Sequence, residues 1–339
     1  MSVVSHHSSH HSDLSPPQEE PIKPFRLEVW RARFDTAKTA TPVRRTLLGC
    51  LVEMIGVFMT SFPPLCTFLA IGLSDIPAEF RPAISCLMGS IVCLLSIWLG
   101  LTVCMSTTRG FLHPCLTVLG CLLGMCGWIE GFFYVIAHTV GGFLSASAAV
   151  LIHWKSIKPI LDAVNEGMLP PEIIWSSSGV AAAITNMKPL HQDWMAAMLN
   201  GFICALIGCL VICAALDATN AFSSPSMFPM LMGAMLSLLL MANVGAGVSQ
   251  QPALWLGGRM SCAAIFGHAD RCFPVADTLF IVFGPWPGFF VGFVVYFLLF
   301  GDIRRPSGRS MIRKAESDAD ARAQAAQRMC KGSESMSFS

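Results

Sequence analysis

Apolar residues run along the chain in six long stretches separated by polar punctuation: Thr46–Leu73, Ile84–Met105, Trp128–Leu151, Trp194–Leu216, Ser224–Met241 and Ala276–Phe300. A helix rises about 1.5 Å per residue and the hydrocarbon core of a bilayer is about 30 Å thick, so roughly 20 apolar residues cross it. The fifth stretch is the shortest, and all six are read as membrane-spanning helices. Two further apolar segments are about half that length: His113–Met125 between the second and third, and Pro252–Met260 between the fifth and sixth. Neither can cross alone.

Each half-length segment opens on a polar residue followed by proline, His113-Pro114-Cys115 in the first and Gln251-Pro252-Ala253 in the second. Proline suits the first helical position because its missing N–H would be unpaired there, and the polar residue before it can cap the helix. Span, span, half-helix, span therefore occurs twice, over 46–152 and 194–300. That order predicts an inverted repeat whose half-helix N-termini meet near the midplane. Non-helical backbone at that depth is tolerated only inside protein or beside a water-filled cavity, so the breaks predict a pore.

Composition agrees with the pattern and narrows it: 54% of the residues are hydrophobic, 13% are charged, and the mean hydropathy is +0.61. A net charge of +1 supplies no basic face for nucleic acid. Most of the 14 cysteines sit in apolar runs and read as small apolar residues; no Cys/His spacing forms a zinc site, so neither metal nor cofactor is expected. No nucleophile and base lie at a recognisable spacing, so an enzyme is not expected. Secondary active transport shares the broken helices but needs a coupling site, and intramembrane carboxylates are almost limited to Glu53 and Glu130.

Residues 1–45 are polar and read as a disordered tail, its cluster His6, His7, His10 and His11 included. Residues 301–339 form a second tail, with a short surface helix expected over 312–328. Arg and Lys crowd the flanks of the first and sixth spans (Arg44, Arg45, Arg304 and Arg305 among them), which places both termini in the cytoplasm.

Several motifs resemble the aquaporins and aquaglyceroporins, the major intrinsic proteins, over about residues 46–300. His113-Pro114-Cys115-Leu116-Thr117 stands where the family has Asn-Pro-Ala-Val-Thr, and Gln251-Pro252-Ala253-Leu254 where it has Asn-Pro-Ala-Arg. Glu53-Met-Ile-Gly56 is similar to the family's Glu-x-x-Gly. Tyr134-Val-Ile-Ala-His138-Thr-Val-Gly-Gly142 resembles its Tyr-Ile-Ile-Ala-Gln-x-Val-Gly-Ala, and Phe283-Gly-Pro-Trp-Pro-Gly288 its Val-Gly-Pro-x-x-Gly.

The resemblance implies an all-α membrane bundle of six spans and two re-entrant half-helices, a homotetramer in the bilayer, and passive passage of water or small neutral solutes such as glycerol or peroxide. It implies a filter at Cys93, Leu239, Val248 and Leu254, in which the family's arginine is replaced by Leu254. Arg259 is read as facing solvent rather than swinging inward to replace that charge. Glu53 is expected to support the first break, with Asn200 near its symmetry mate, and His138 to bond neighbouring backbone. His113 reads equally as a helix cap and as a pore donor. The runner-up function is a non-conducting membrane protein with a structural or regulatory role.

Overall fold

The structure, a computed structural model, describes residues 42–300 apart from 78, 106–107, 109, 177–178, 186–192, 218–219, 221–224, 244–250 and 276–283. Expectations for the two tails, the N-terminal histidine cluster and Val248 fall outside the described residues. Regular structure among the described residues is helical: α1 (Pro42–Gly72), α2 (Arg81–Cys104), α3 (Pro114–Leu122), α4 (Trp128–Ile152), α5 (Trp154–Asn165), α6 (Glu172–Trp175), α7 (Ala182–Thr185), α8 (Trp194–Leu216), α9 (Phe228–Ala242), α10 (Pro252–Phe266), α11 (Ala269–Cys272) and α12 (Pro285–Phe300). Four of these, α1, α2, α4 and α8, are long and apolar enough to cross a membrane, and α9 and α12 are shorter apolar helices.

The packing repeats between the halves. Helix α1 packs on α4 just as α8 packs on α12, α2 and α9 meet across the two halves, α10 lies along α4, and α3 touches α12. Each half-helix thus contacts the third span of the other half, the arrangement an inverted repeat produces.

Local chemistry keeps the long helices intact. Helix α1 continues through Pro63 and Pro64, although Pro64 cannot donate to the Thr60 carbonyl four residues back. The Ser96 hydroxyl of α2 donates to that carbonyl instead, at 3.2 Å. At the end of α1 the Arg81 guanidinium donates to the carbonyls of Ile76, Gly72 and Ser74 at 2.8, 3.1 and 3.0 Å. Those are orphan acceptors of a helix terminus and the turn after it.

Glycines set how closely the helices approach. A Cβ at Gly141 would lie 2.6 Å from the Met54 carbonyl oxygen of α1, one at Gly292 would lie 2.7 Å from that of Leu206 on α8, and one at Gly288 would overlap the Phe202 carbonyl. Lipid tails provide no hydrophobic drive between helices, so such backbone contact is a main source of cohesion. The small-residue stripes Gly141, Ser145, Ala149 and Gly284, Gly288, Gly292 lie along these crossings. Gly288→Val is expected to cost about 3 kcal/mol or more, since rigid backbone must move apart. Thermal unfolding of the detergent-solubilised variant measures this.

Two features exceed the expectation from sequence. Helix α10 runs on to Phe266 instead of ending near Met260, and it stops at Gly267, whose φ of +75° is a left-handed C-cap. The connection between the halves is not bare linker. Helices α5, α6 and α7 bury Ile157, Leu161, Ile174 and Ile184 against Cys262, Phe266 and Cys272.

Candidate functional site

The first break is held from behind by Glu53. Its side chain is fully buried in α1. Oε1 accepts from the Thr108 hydroxyl at 2.9 Å and the Phe111 N–H at 3.1 Å. Oε2 accepts from the Leu112 N–H at 2.7 Å and lies 2.9 Å from His138 Nε2. His138 therefore pairs with the carboxylate rather than with neighbouring backbone. An imidazole reaches across the α1–α4 contact to a charged acceptor, which makes the stronger bond.

Leu112 has a φ of +47°, the left-handed region that non-glycine residues rarely adopt. The next residue, His113, is extended and caps α3, its Nδ1 accepting from the Cys115 N–H at 3.1 Å. A neutral imidazole that accepts at Nδ1 carries its proton on Nε2. The ring stacks on Phe289 of α12, with centroids 5.7 Å apart. Pro114 and Cys115 are buried beneath it.

The second break reaches the first. Gln251 does not cap its own helix. Its Nε2 donates to the Leu112 carbonyl, so the strained residue of the first break is fixed at its N–H by α1 and at its C=O by the opposite half. Gln251 Oε1 is buried and finds no hydrogen-bond partner among the described residues. Pro252 and Ala253 are buried where α10 abuts Gly142, at which a Cβ would lie 2.9 Å from the Ala253 carbonyl oxygen and 2.8 Å from Leu254 Cα.

His113, Gln251 and Leu254 line one cavity of about 230 Å³ with Cys93, Thr60 and Ser61. The remaining wall is mostly apolar. From α9 it takes Met235, Leu236 and Leu240, while Leu239 is buried and its carbonyl accepts from the Asn243 amide at 2.7 Å. The structure thus brings Cys93 and Leu254 together with the two breaks and turns Leu239 away from the cavity. Counting back along a helix leaves a one-residue ambiguity in register, and one residue rotates the side chain by about 100°.

No protein-family model matches the chain. It is 24% identical over 225 residues to an aquaporin of Laccaria bicolor, covering 65% of this chain and 72% of that one. It is 25% identical over 265 residues to Aquaporin-2 of Milnesium tardigradum, covering 76% and 77%. The X-ray structure of the aquaglyceroporin from Plasmodium falciparum superposes with a TM-score of 0.59 at 15% identity, over 78% of this chain and 99% of that one. The chain resembles the aquaporins in sequence and has the fold of an aquaglyceroporin. Its spans carry an exposed belt of Leu47, Leu51, Leu99, Phe132, Ile136 and Leu298, a surface suited to lipid and consistent with a multi-pass membrane protein.

The structure also places polar residues and cysteines that the sequence did not explain. Arg259 neither faces solvent nor swings into the cavity. It is fully buried on α10, and its Nη1 donates to the Cys272 carbonyl at 2.8 Å. Cys262 and Cys272 form a disulfide, so two of the fourteen cysteines are covalent staples rather than small apolar residues. Asn200 Oδ1 accepts from Cys204 Sγ at 3.4 Å, and Cys204 Sγ accepts from Asn243 Nδ2 at 3.6 Å, so Asn200 belongs to a polar string that links α8 to the end of α9. Asp217 accepts from the Tyr296 hydroxyl at 2.6 Å and ties α8 to α12.

The disulfide closes a short loop against the end of α10. Removing it in a small loop typically costs about 2–4 kcal/mol. Cys272→Ser is expected to lower the unfolding midpoint and to abolish its response to reductant. A midpoint unchanged in both respects would show that the staple carries no stability.

Proposed function

We propose that this chain is a passive membrane channel for water and small neutral solutes, glycerol and peroxide among them. One observation supports the reading above all others: the N-caps of both half-helices meet on a single cavity and are joined there by the Gln251–Leu112 hydrogen bond. Two helix N-termini directed at one point supply partial positive charge that backbone alone provides, so cations are disfavoured whatever the cap side chains. Cys93 and Leu254 form part of a weakly polar constriction, and Val248 completes it in the reading carried over from the family. No filter arginine compensates dehydrated water, which shifts preference toward less polar solutes.

Glu53 and His138 act as supports rather than transport groups, since their hydrogen bonds point at Thr108 and the backbone of the first break. The channel body occupies 46–300, with 1–45 and 301–339 as cytoplasmic tails. A disulfide at the end of α10 fits an oxidising outer face, consistent with cytoplasmic termini. Four copies with one pore each form the assembly that the family resemblance implies.

Vesicles containing the pure protein test the conduction reading. Stopped-flow swelling in glycerol, or peroxide influx to an enclosed reporter, is expected to run several-fold faster than in empty vesicles, with no proton current. If water, glycerol and peroxide all cross at the empty-vesicle rate, the non-conducting structural role replaces the channel.

A further inference from the structure

Both half-helices end at a left-handed glycine. Helix α3 closes at Gly124, with φ +65°, and α10 closes at Gly267, with φ +75°; each glycine has a cysteine before it and another after it, Cys121 and Cys126 in the first half, Cys262 and Cys272 in the second. The second pair is a disulfide. The first pair is two thiols whose sulfurs lie 3.2 Å apart.

The contact follows from the turn. The Gly124 N–H donates to the Cys121 carbonyl at 3.0 Å and the Met125 N–H to that of Gly120 at 2.7 Å, the paired bonds of a Schellman motif, which folds the chain back on the last helical turn. Cys126 is thereby returned to the side of Cys121. Room for the sulfurs comes from Gly131 on α4, where a Cβ would overlap Cys121 Sγ. Cys121 Sγ also donates to the Gly127 carbonyl at 3.7 Å, and Cys126 Sγ to that of Thr117 at 3.9 Å. Those contacts are weak and cost little to give up. Both residues are about nine-tenths buried but lie directly beneath the exposed Leu122, Gly124 and Gly127.

We infer that Cys121 and Cys126 form a modification site: a dithiol that a hydroperoxide oxidises to a disulfide, closing the end of the first half-helix as Cys262–Cys272 closes the second. One thiol, as thiolate, attacks a peroxide oxygen; the O–O bond breaks, hydroxide leaves and takes up a proton as water, and a sulfenic acid remains. The neighbouring sulfur then attacks that sulfur, the S–O bond breaks, and a second water leaves as S–S forms. The two sulfurs close only about 1.2 Å to reach bonding distance. Placement at the cytoplasmic end of α3 rests on the topology proposed above and explains why this pair is held reduced while its counterpart is oxidised; the chemistry of the pair does not depend on conduction.

The test uses the full chain in lipid vesicles, treated with hydrogen peroxide, alkylated without reduction and digested with trypsin. Cleavage after Arg109 and Lys155 gives one peptide holding Cys115, Cys121 and Cys126. Untreated protein is expected to carry three alkyl groups there. Peroxide-treated protein is expected to carry one, on Cys115, with the peptide lighter by two hydrogens, and dual labelling of Cys121 and Cys126 should fall at least about tenfold. In Cys126→Ser a sulfenic acid stranded on Cys121 should be trapped by dimedone. Three alkyl groups after treatment, or a bridge that includes Cys115, would overturn the assignment. The wild-type measurement decides the matter even if the variant does not fold.

Discussion

Glu53→Leu is expected to prevent accumulation of folded protein. The substitution takes the acceptor from two backbone N–H groups, those of Phe111 and Leu112, and the partner from one nitrogen of His138, while the Thr108 hydroxyl keeps the Cys104 carbonyl at 3.2 Å. A buried donor left unsatisfied costs about 1–3 kcal/mol, and the substitution strands several at once. Whole-protein stability is of order 5–15 kcal/mol, so the sum reaches the margin. Leu112 adds to the cost. Its left-handed backbone is fixed by Glu53 at the N–H and by Gln251 at the C=O, and such a conformation persists only where the surroundings impose it.

A graded series separates this account from simple loss of packing. Glu53→Gln keeps one carbonyl oxygen but turns an NH₂ toward other donors, so an intermediate loss of thermal stability is expected. His138→Gln retains a donor for the carboxylate and should be the mildest, shifting the midpoint by a few degrees. Size-exclusion profiles and unfolding midpoints in detergent rank the three. Equal stability of Glu53→Leu and wild type would remove Glu53 from its supporting role.

The parts of the fold that were legible in the sequence are those with one physical cause. Helices α2, α4 and α8 end within three residues of the predicted limits, because apolar length and flanking polarity set them together. The glycine stripes were legible because close backbone approach in a membrane has few other solutions. Where several partners compete, sequence does not choose: His138 could bond backbone or Glu53, and only the α1–α4 crossing brings the carboxylate within reach. The Cys262–Cys272 staple is hidden by composition, since most other cysteines do behave as apolar residues, and the half-helix expected over Pro252–Met260 stops short of the turn at Gly267 that brings the pair together. Arg259 looked solvent-facing because its acceptor, the Cys272 carbonyl, is thirteen residues away in sequence.

Leu254→Arg is expected to reduce glycerol flux in proteoliposomes by about tenfold or more, equivalent to about 1.4 kcal/mol of added barrier, while water flux is retained or rises. Leu254 sits in the first turn of α10 and lines the shared cavity. A guanidinium there narrows the lumen and brings five N–H donors into a mostly apolar wall. Water can exchange its lost partners for those donors, whereas the carbon skeleton of glycerol gains nothing and meets a smaller opening. The nearby N-terminal end of α10 opposes a cation by about 0.3–1 kcal/mol, too little to expel it. Leu254→Trp supplies bulk without donors and should lower both fluxes. Glycerol flux unchanged by either substitution would show that solute does not travel along the cavity between the breaks.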